Sequence, residues 1–250
     1  MTFPMRLAFS LLVVAVFVML APSEADAIKR DRAVEAKSYP EAVLITAMNT
    51  RKKVTGLCSG ALIAPNVVLT TAVCGKWFDA WEVQAPYAKG GAARAKVKAA
   101  KVNPDYKPAY RENAFALLIL EKDIDIGRKF PALHDGDLLP LGTKLTLVGR
   151  VDNGTVSREN LFVSAEVTLV SDELDTKVYG GTPHVVEKGD LGGPVYSTKR
   201  DGKIVAVISG DLDTDGEPVP TDLFSPITRK NLLWFTAILQ EAAKGRAKEK

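Results

Sequence analysis

Histidine, cysteine and carboxylate side chains carry much of the acid–base, nucleophilic and metal chemistry of proteins, and the first two are rare in this chain. Two histidines, His134 and His184, and two cysteines, Cys58 and Cys74, occur among its 250 residues. No cluster of His, Cys, Asp or Glu has metal-ligand spacing, so the sequence predicts neither a metal nor another cofactor. A catalytic role for His184 is one interpretation, but an isolated histidine is more often a surface residue.

The composition is typical of a globular protein, and the net charge is small. Hydrophobic residues make up 46% of the chain and charged residues 25%, and the formal net charge is +3. Proteins that bind nucleic acid concentrate Lys and Arg much more strongly, so no nucleic-acid partner is expected. An acidic protein partner is neither excluded nor required by this balance.

The first residues have the pattern of an export signal. Arg6 supplies a positive charge, Leu7 to Leu20 form an apolar run interrupted by Ser10, and Ala25-Asp26-Ala27 has the small-x-small form that signal peptidase cleaves. We therefore predict a signal peptide at 1–27, a mature chain from Ile28, and secretion to the extracellular space or periplasm. No stable membrane anchor is expected after cleavage. An uncleaved N-terminal anchor is the alternative.

Export also affects the interpretation of the two cysteines. Oxidising compartments favour pairing, and a disulfide between Cys58 and Cys74 would close a short loop that stabilises the fold by roughly 3 kcal/mol. Their spacing does not fit a Cys-x-x-Cys zinc or redox motif. Two buried free thiols are the alternative.

Short apolar or β-rich runs recur along the chain and are separated by turn formers. This arrangement is typical of a β-sandwich or barrel, so the predicted fold class is all-β. From Thr228 the pattern changes, because apolar residues recur at helical spacing and predict a C-terminal helix. The β-rich runs are 42–47, 61–63, 67–71, 114–120, 144–148, 161–169 and 203–209.

Three ordered segments of the chain carry a more specific pattern. They are 58–74, which ends in Ala72-Val73-Cys74, then Asn113-Ala114-Phe115-Ala116-Leu117-Leu118, then Gly189-Asp190-Leu191-Gly192-Gly193-Pro194. They resemble the segments around the catalytic histidine, aspartate and serine of the trypsin-like serine proteases (family S1). The resemblance covers essentially the whole mature chain.

The resemblance implies a fold and a division of the chain. In this family two antiparallel six-stranded β-barrels pack face to face, with a C-terminal helix. We expect the first barrel at 28–128 and the second barrel with the helix at 129–250. The resemblance also implies a disulfide between Cys58 and Cys74.

The same resemblance places Val73, Ala114 and Leu191 at the three catalytic positions. The triad mechanism requires an oxygen nucleophile, a base that takes its proton and a carboxylate that orients the base. None of these three side chains has a polar group, so we predict a catalytically inactive homologue in which they meet as an apolar plug. Backbone N–H groups of Gly189 and Leu191 would still shape an oxyanion hole.

Asp190 resembles the aspartate that pairs with a new N-terminal amine in active members of the family. Ile28 stands directly after the predicted signal-peptidase site, so export alone would create that amine. We predict a pair between the Ile28 amine and Asp190. The alternatives are that Asp190 pairs with Lys188 or a backbone N–H, or is exposed.

The specificity pocket is expected to differ from that of trypsin, because Val185 resembles the acidic pocket-floor position and Glu187 stands where a cysteine is usual. Ser209 resembles the serine beside the catalytic aspartate and would lack that partner. Asn153 begins a glycosylation motif that is equally a hairpin turn. A row of basic residues predicts either a docking stripe for an acidic partner or a solvated strand face; these are Lys89, Arg94, Lys96, Lys98 and Lys101.

These features predict a secreted non-catalytic serine protease homologue that acts by binding a protein, as a decoy, inhibitor or regulatory cofactor. Two other functions fit the sequence. The first is a residual or unorthodox serine-type hydrolase, which would turn over small esters. The second is a structural component of an exported assembly, which would co-purify with envelope or secreted proteins.

Overall fold

The computed structural model describes residues 34–152, 154–171, 178–198, 202–212 and 218–249. The predicted signal peptide, Ile28 and Asn153 lie outside these residues. The described chain begins with a short strand, β1 (Val34–Glu35), and then enters the first barrel. No helix among the described residues has both the length and the apolar character to cross a membrane.

Six antiparallel strands close the first barrel in the order β2-β3-β4-β7-β6-β5. A short helix, α1 (Ala72–Lys76), follows β4. The strands are β2 (Ala42–Asn49), β3 (Val54–Ala64), β4 (Val67–Thr71), β5 (Ala80–Ala85), β6 (Ala93–Val102) and β7 (Phe115–Leu120).

The side-chain pattern of each strand reflects what covers it. In β6, Arg94, Lys96 and Lys98 are exposed while Ala95 between them is buried, as expected for a strand with one face in water. In β7 almost every side chain is buried. Its Phe115 packs edge-on against Phe235 of the C-terminal helix, with ring centroids 5.2 Å apart.

The second barrel is closed by β8, β12, β13, β16, β15 and β14, with β8 pairing back to β14. The strand β11 adds to β8, and β1 adds to β11, so the start of the described chain lies on the second barrel. The strands are β8 (Lys144–Gly149), β9 (Val151–Asp152), β10 (Thr155–Val156), β11 (Phe162–Val163), β12 (Val167–Ser171), β13 (Tyr179–Thr182), β14 (Pro194–Ser197), β15 (Ile204–Leu212) and β16 (Pro218–Pro226).

Two closed six-stranded barrels and a C-terminal helix, α2 (Arg229–Glu249), confirm the predicted fold class. The helix lies against the first barrel, where Arg246 pairs with Asp123 at 3.3 Å and Lys101 with Glu241 at 3.4 Å. Strands of the first barrel end at Leu120 and those of the second begin at Lys144, so the predicted division at 128/129 falls in the connection.

The predicted disulfide is confirmed. Cys58 of β3 is bonded to Cys74 of α1. Both cysteines are buried in the core of the first barrel. The bond therefore fixes α1, and Val73 within it, to the barrel wall that faces the second barrel.

Candidate functional site

The three positions that resemble a catalytic triad lie side by side between the barrels. Val73 belongs to α1, Ala114 directly precedes β7, and Leu191 lies in the loop before β14. The amide of Ala72 donates to the carbonyl oxygen of Ala114 at 3.0 Å. The Sγ atom of Cys74 lies 3.9 Å from the carbonyl oxygen of Leu191. Each sequence neighbour of Val73 therefore contacts one of the other two positions: Ala72 contacts Ala114, and Cys74 contacts Leu191.

Leu191 is the apolar contact that joins the two barrels at this point. Its half-buried side chain packs against the core of the first barrel, which includes Cys58 and Cys74, and against the core of the second, which includes Val195. Ala114 is fully buried. Where a catalytic triad would transfer protons, the chain has aliphatic side chains that neither donate nor accept them.

Two hydroxyl groups around this centre have no hydrogen-bond partner among the described residues. Ser209 and Thr71 are fully buried, and neither hydroxyl oxygen makes a hydrogen bond within the part of the chain that the structure describes. A buried hydroxyl without a partner is unfavourable, so these two atoms mark where a polar network is incomplete.

The glycine-rich loop around Leu191 is held by the first barrel. Ser59 donates its hydroxyl to the carbonyl oxygen of Gly189 at 3.0 Å and its amide to that of Leu191 at 2.9 Å. Gly189 has φ +117°, a conformation that favours glycine. Among the described residues, the amides of Gly189 and Leu191 donate to no other group. The two N–H groups predicted to form an oxyanion hole therefore have no acceptor within the described structure, and Leu191 beside them has no nucleophilic group.

Asp190 is buried and accepts three backbone hydrogen bonds. Its Oδ1 accepts from the amides of Arg150 at 2.7 Å and Val151 at 2.9 Å, and its Oδ2 accepts from Glu187 at 3.1 Å. The alternative of a backbone N–H partner is therefore observed. Because Ile28 lies outside the described residues, its pairing with Asp190 stays a prediction.

A buried arginine, which the sequence analysis missed, lies directly beneath this loop. The Arg150 side chain is 1% exposed, and it donates from Nη1 to the carbonyl oxygens of Ile45 and Cys58, each at 3.1 Å. Its Nε donates to Ser157 at 2.8 Å. Burial lowers the pKa of the guanidinium to about 10, so it stays charged at neutral pH. A lone arginine in the apolar run 145–151 is the sequence signal for it.

His184 forms a pair that the sequence did not predict. Its Nδ1 lies 2.6 Å from Oδ1 of Asp222, which is fully buried and also accepts from the amides of Val185 at 2.9 Å and Val186 at 3.1 Å. Burial raises the pKa of Asp222, and these hydrogen bonds oppose the rise. Within the described residues no hydroxyl or thiol hydrogen-bonds to His184. The pair therefore anchors the segment that carries Val185, the predicted pocket floor.

Most of the predicted basic stripe is neutralised by the chain's own carboxylates. Arg94 pairs with Glu82 at 3.3 Å, and Lys89 pairs with Asp125 at 3.6 Å. Lys101 pairs with Glu241 of α2. These pairs favour the solvated strand face over a docking stripe. The other histidine, His134, is buried, with Nε2 2.6 Å from the carbonyl oxygen of Asp137, and serves to order its own loop.

A profile of the trypsin family matches residues 32–233. The chain belongs to the trypsin family. The three positions that resemble the catalytic residues of the family's proteases are Val73, Ala114 and Leu191, and none of them has a polar side chain.

Two curated relatives match most of the chain. Glucanase inhibitor protein 1 of Phytophthora sojae is 29% identical over 227 residues, which cover 83% of this chain and 86% of the relative. Glucanase inhibitor protein 2 of the same organism is 26% identical over 261 residues, which cover 94% and 89%. Both names describe inhibitors of another protein.

Solved structures show the same fold at lower sequence identity. Human heparin binding protein is 19% identical with a TM-score of 0.67, covering 84% of this chain and 95% of its own. The scabies mite inactivated protease paralogue S-I1 is 20% identical with a TM-score of 0.66, covering 84% and 98%. At this identity the matches establish the trypsin fold alone.

Proposed function

We propose that this trypsin-family protein is exported and that it binds and inhibits a secreted glucanase. Family membership together with apolar side chains at all three catalytic positions makes it a non-catalytic protease homologue that acts by protein binding. The main support for this proposal is the contact of Leu191 with both barrel cores. The side chain at the position that resembles the nucleophile packs against other apolar residues instead of presenting a reactive group. Matches to two glucanase inhibitor proteins over more than four-fifths of the chain support the identity of the partner.

Export of the mature protein is part of the same proposal. The N-terminal segment has the pattern of a signal peptide, and the disulfide between Cys58 and Cys74 is stable in an oxidising compartment. A secreted inhibitor would meet a secreted glucanase there. The Ile28 amine created by signal cleavage would then join the three backbone donors that surround Asp190.

A glucanase also fits the option of an acidic partner. Glycoside hydrolases cleave with a pair of carboxyl groups that flank the scissile bond in an open cleft. An inhibitor of such an enzyme gains association rate and specificity from positive charge on the face that it presents. The acidic groups that the inhibitor recognises would then be the carboxyl groups of the glucanase active site. The glucanase as a whole would not need a negative net charge.

The test is direct inhibition of purified glucanases. The mature protein from Ile28 is added to a panel of secreted enzymes that hydrolyse β-1,3- or β-1,4-linked glucans, and release of reducing sugar is measured. Saturable inhibition of at least one enzyme at micromolar concentration or below is expected. Trypsin with its nucleophile replaced by alanine is the matched control, since it has the fold without this chain's surface. Failure to inhibit or bind any member of the panel would overturn the proposal.

A further inference from the structure

Beside Val73, the end of α1 and the segment after β6 carry cationic and aromatic side chains. Trp77, at the end of α1, is 57% exposed. The Nζ atom of Lys76 lies 5.3 Å from the Trp77 ring centroid and 5.7 Å from that of Tyr106. We call Lys76, Trp77, Tyr106 and Arg111 the cleft ridge. An exposed tryptophan held against a cation is a typical anchor of a protein interface.

Arg111 extends the ridge to the second barrel. Its carbonyl oxygen accepts a hydrogen bond from Ser225 Oγ at 3.0 Å, and its Nε lies 3.5 Å from the point that a β-carbon on Gly210 would occupy. The Arg111 backbone has φ +54°, which is uncommon for any residue except glycine, asparagine and aspartate. Unfavourable backbone conformations of this kind concentrate at binding and catalytic sites.

Among the side chains that the structure describes, the cations of the ridge have no carboxylate partner, whereas nearby carboxylates are paired with other residues. Asp105 pairs with Lys230 at 2.8 Å, and Glu112 pairs with Lys107 at 3.1 Å. Throughout the described ranges, no carboxylate lies within ion-pair distance of Lys76 or Arg111. Within the described structure, neither cation has to break an ion pair before it contacts a partner, in contrast to Arg94 of β6, which is paired with Glu82.

We propose that the cleft ridge is the inhibitory surface of this protein and that it enters the substrate cleft of the glucanase. Arg111 and Lys76 would face the two catalytic carboxylates, and Trp77 and Tyr106 would pack on the walls around them. This inference rests on the proposed glucanase-inhibitor function. The two catalytic carboxyl groups of a glycoside hydrolase lie roughly 5 to 10 Å apart, a spacing that two separate cations can match. Arginine can bind a carboxylate through two parallel hydrogen bonds.

The first arm of the test measures the inhibition constant of Arg111→Gly and Lys76→Gln against a glucanase that the unmodified protein inhibits. Glycine adopts φ +54° without strain, so Arg111→Gly removes the cation while its urea midpoint should stay equal or rise. We expect each variant to weaken inhibition by about tenfold or more, as for an interface hot spot. Arg94→Gln is the matched control, and its inhibition constant should stay within about twofold, because an exposed paired charge contributes little.

The second arm uses a glucanase in which both catalytic carboxylates are replaced by the corresponding amides. Binding is measured by calorimetry, since this enzyme has no activity. The affinity difference between the unmodified protein and Arg111→Gly should largely disappear, because the partner charges are gone. An equal difference for both forms of the enzyme would overturn the placement of Arg111 at the carboxylates.

The outcomes for the two proposals can be told apart. If the unmodified protein inhibits a glucanase and both ridge variants inhibit it equally well, the cleft ridge is not the inhibitory surface and the proposed function stands. If the unmodified protein inhibits no enzyme of the panel, the glucanase-inhibitor function falls, and with it the assignment of the ridge.

Discussion

Side chains make two kinds of contact between the barrels, one apolar and one polar. At the centre formed by Val73, Ala114 and Leu191, the Leu191 side chain packs against both cores, and the hydroxyls of Ser209 and Thr71 have no hydrogen-bond partner in the described structure. The second kind of contact is made by polar and charged side chains. We call these side chains the polar clamp, and they are Glu41, Arg128, Tyr196 and Arg150.

Each polar side chain of the clamp has a hydrogen-bond partner, and those of Tyr196 and Arg150 lie in the other barrel. Glu41, buried before β2, accepts from Arg128 Nη2 and from the Tyr196 hydroxyl, each at 2.7 Å. Burial and the neighbouring Glu41 carboxylate raise the pKa of Tyr196 well above its usual value, so this hydroxyl keeps its proton and donates. Arg150 reaches from the second barrel to two carbonyl oxygens of the first.

The difference between the apolar contact of Leu191 and the polar clamp distinguishes what the fold requires from what catalysis requires. Buried polar groups are tolerated where every one is hydrogen-bonded, as in the clamp. A triad whose histidine is gone leaves an aspartate buried without its partner, which destabilises the fold. Replacing the whole triad by aliphatic side chains removes that penalty, so the fold survives the loss of the chemistry.

Replacing Arg150 should cause the largest loss of stability among substitutions at these contacts. Arg150→Met keeps most of the side-chain volume but leaves the carbonyl oxygens of Ile45 and Cys58 without their donor and Asp190 without its nearby cation. We expect a loss of about 3 to 5 kcal/mol in the free energy of unfolding, measured by urea denaturation. A loss below about 1 kcal/mol would show that the clamp does not hold the barrels together.

The apolar contact should give a smaller effect. Leu191→Ser restores a hydroxyl at the nucleophile position but removes the side chain that packs against both cores. Because Leu191 is half-buried, we expect a loss of about 2 kcal/mol in the same assay. Leu233→Ser, at a position 76% exposed on α2, is the control and should change stability little. Unchanged or increased stability of Leu191→Ser would contradict the packing role of this residue.

The sequence predicted the fold and the disulfide well because both are encoded in local patterns. Ordered motifs around Val73, Ala114 and Leu191 identified the fold, the disulfide and the missing polar groups. Contacts that depend on distant parts of the chain were not predictable. Arg150 and Asp222 look like isolated charges in sequence, and only the closed second barrel brings Asp222 to His184 and the Val185 amide. The exposed cluster of Lys76, Trp77 and Tyr106 likewise depends on the packing of α1 beside the 103–113 segment.

The hydroxyl of Tyr196 in the clamp can be removed without changing the shape of the aromatic ring. Tyr196→Phe deletes the donor to Glu41. Arg128 still pairs with the carboxylate, and the ring still packs at a tilt against Tyr39, with ring centroids 4.8 Å apart in the unmodified protein. We expect a loss of about 1.5 kcal/mol in thermal or urea unfolding, typical of one hydrogen bond to a charged group. Full retention of stability would mean that Arg128 alone satisfies Glu41.

The unpaired hydroxyl at the catalytic centre should give the smallest effect, with the opposite sign. Ser209→Ala removes a buried oxygen that has no hydrogen-bond partner among the described residues, so stability should stay the same or rise by up to about 1 kcal/mol. Ser225→Ala is the matched comparison, because its hydroxyl bridges the Arg111 carbonyl oxygen and the Ala114 amide and its loss should cost about 1 kcal/mol. Destabilisation by Ser209→Ala would reveal a polar network at the centre.

The most direct test of a non-catalytic cleft is covalent labelling of the purified mature protein by a fluorophosphonate probe, which reacts with activated serine nucleophiles. The unmodified protein should remain unlabelled, beside trypsin as a positive control and the Val73→His, Ala114→Asp, Leu191→Ser triple variant, in which we expect labelling at position 191. Stoichiometric labelling of the unmodified protein, lost on denaturation, would contradict the account.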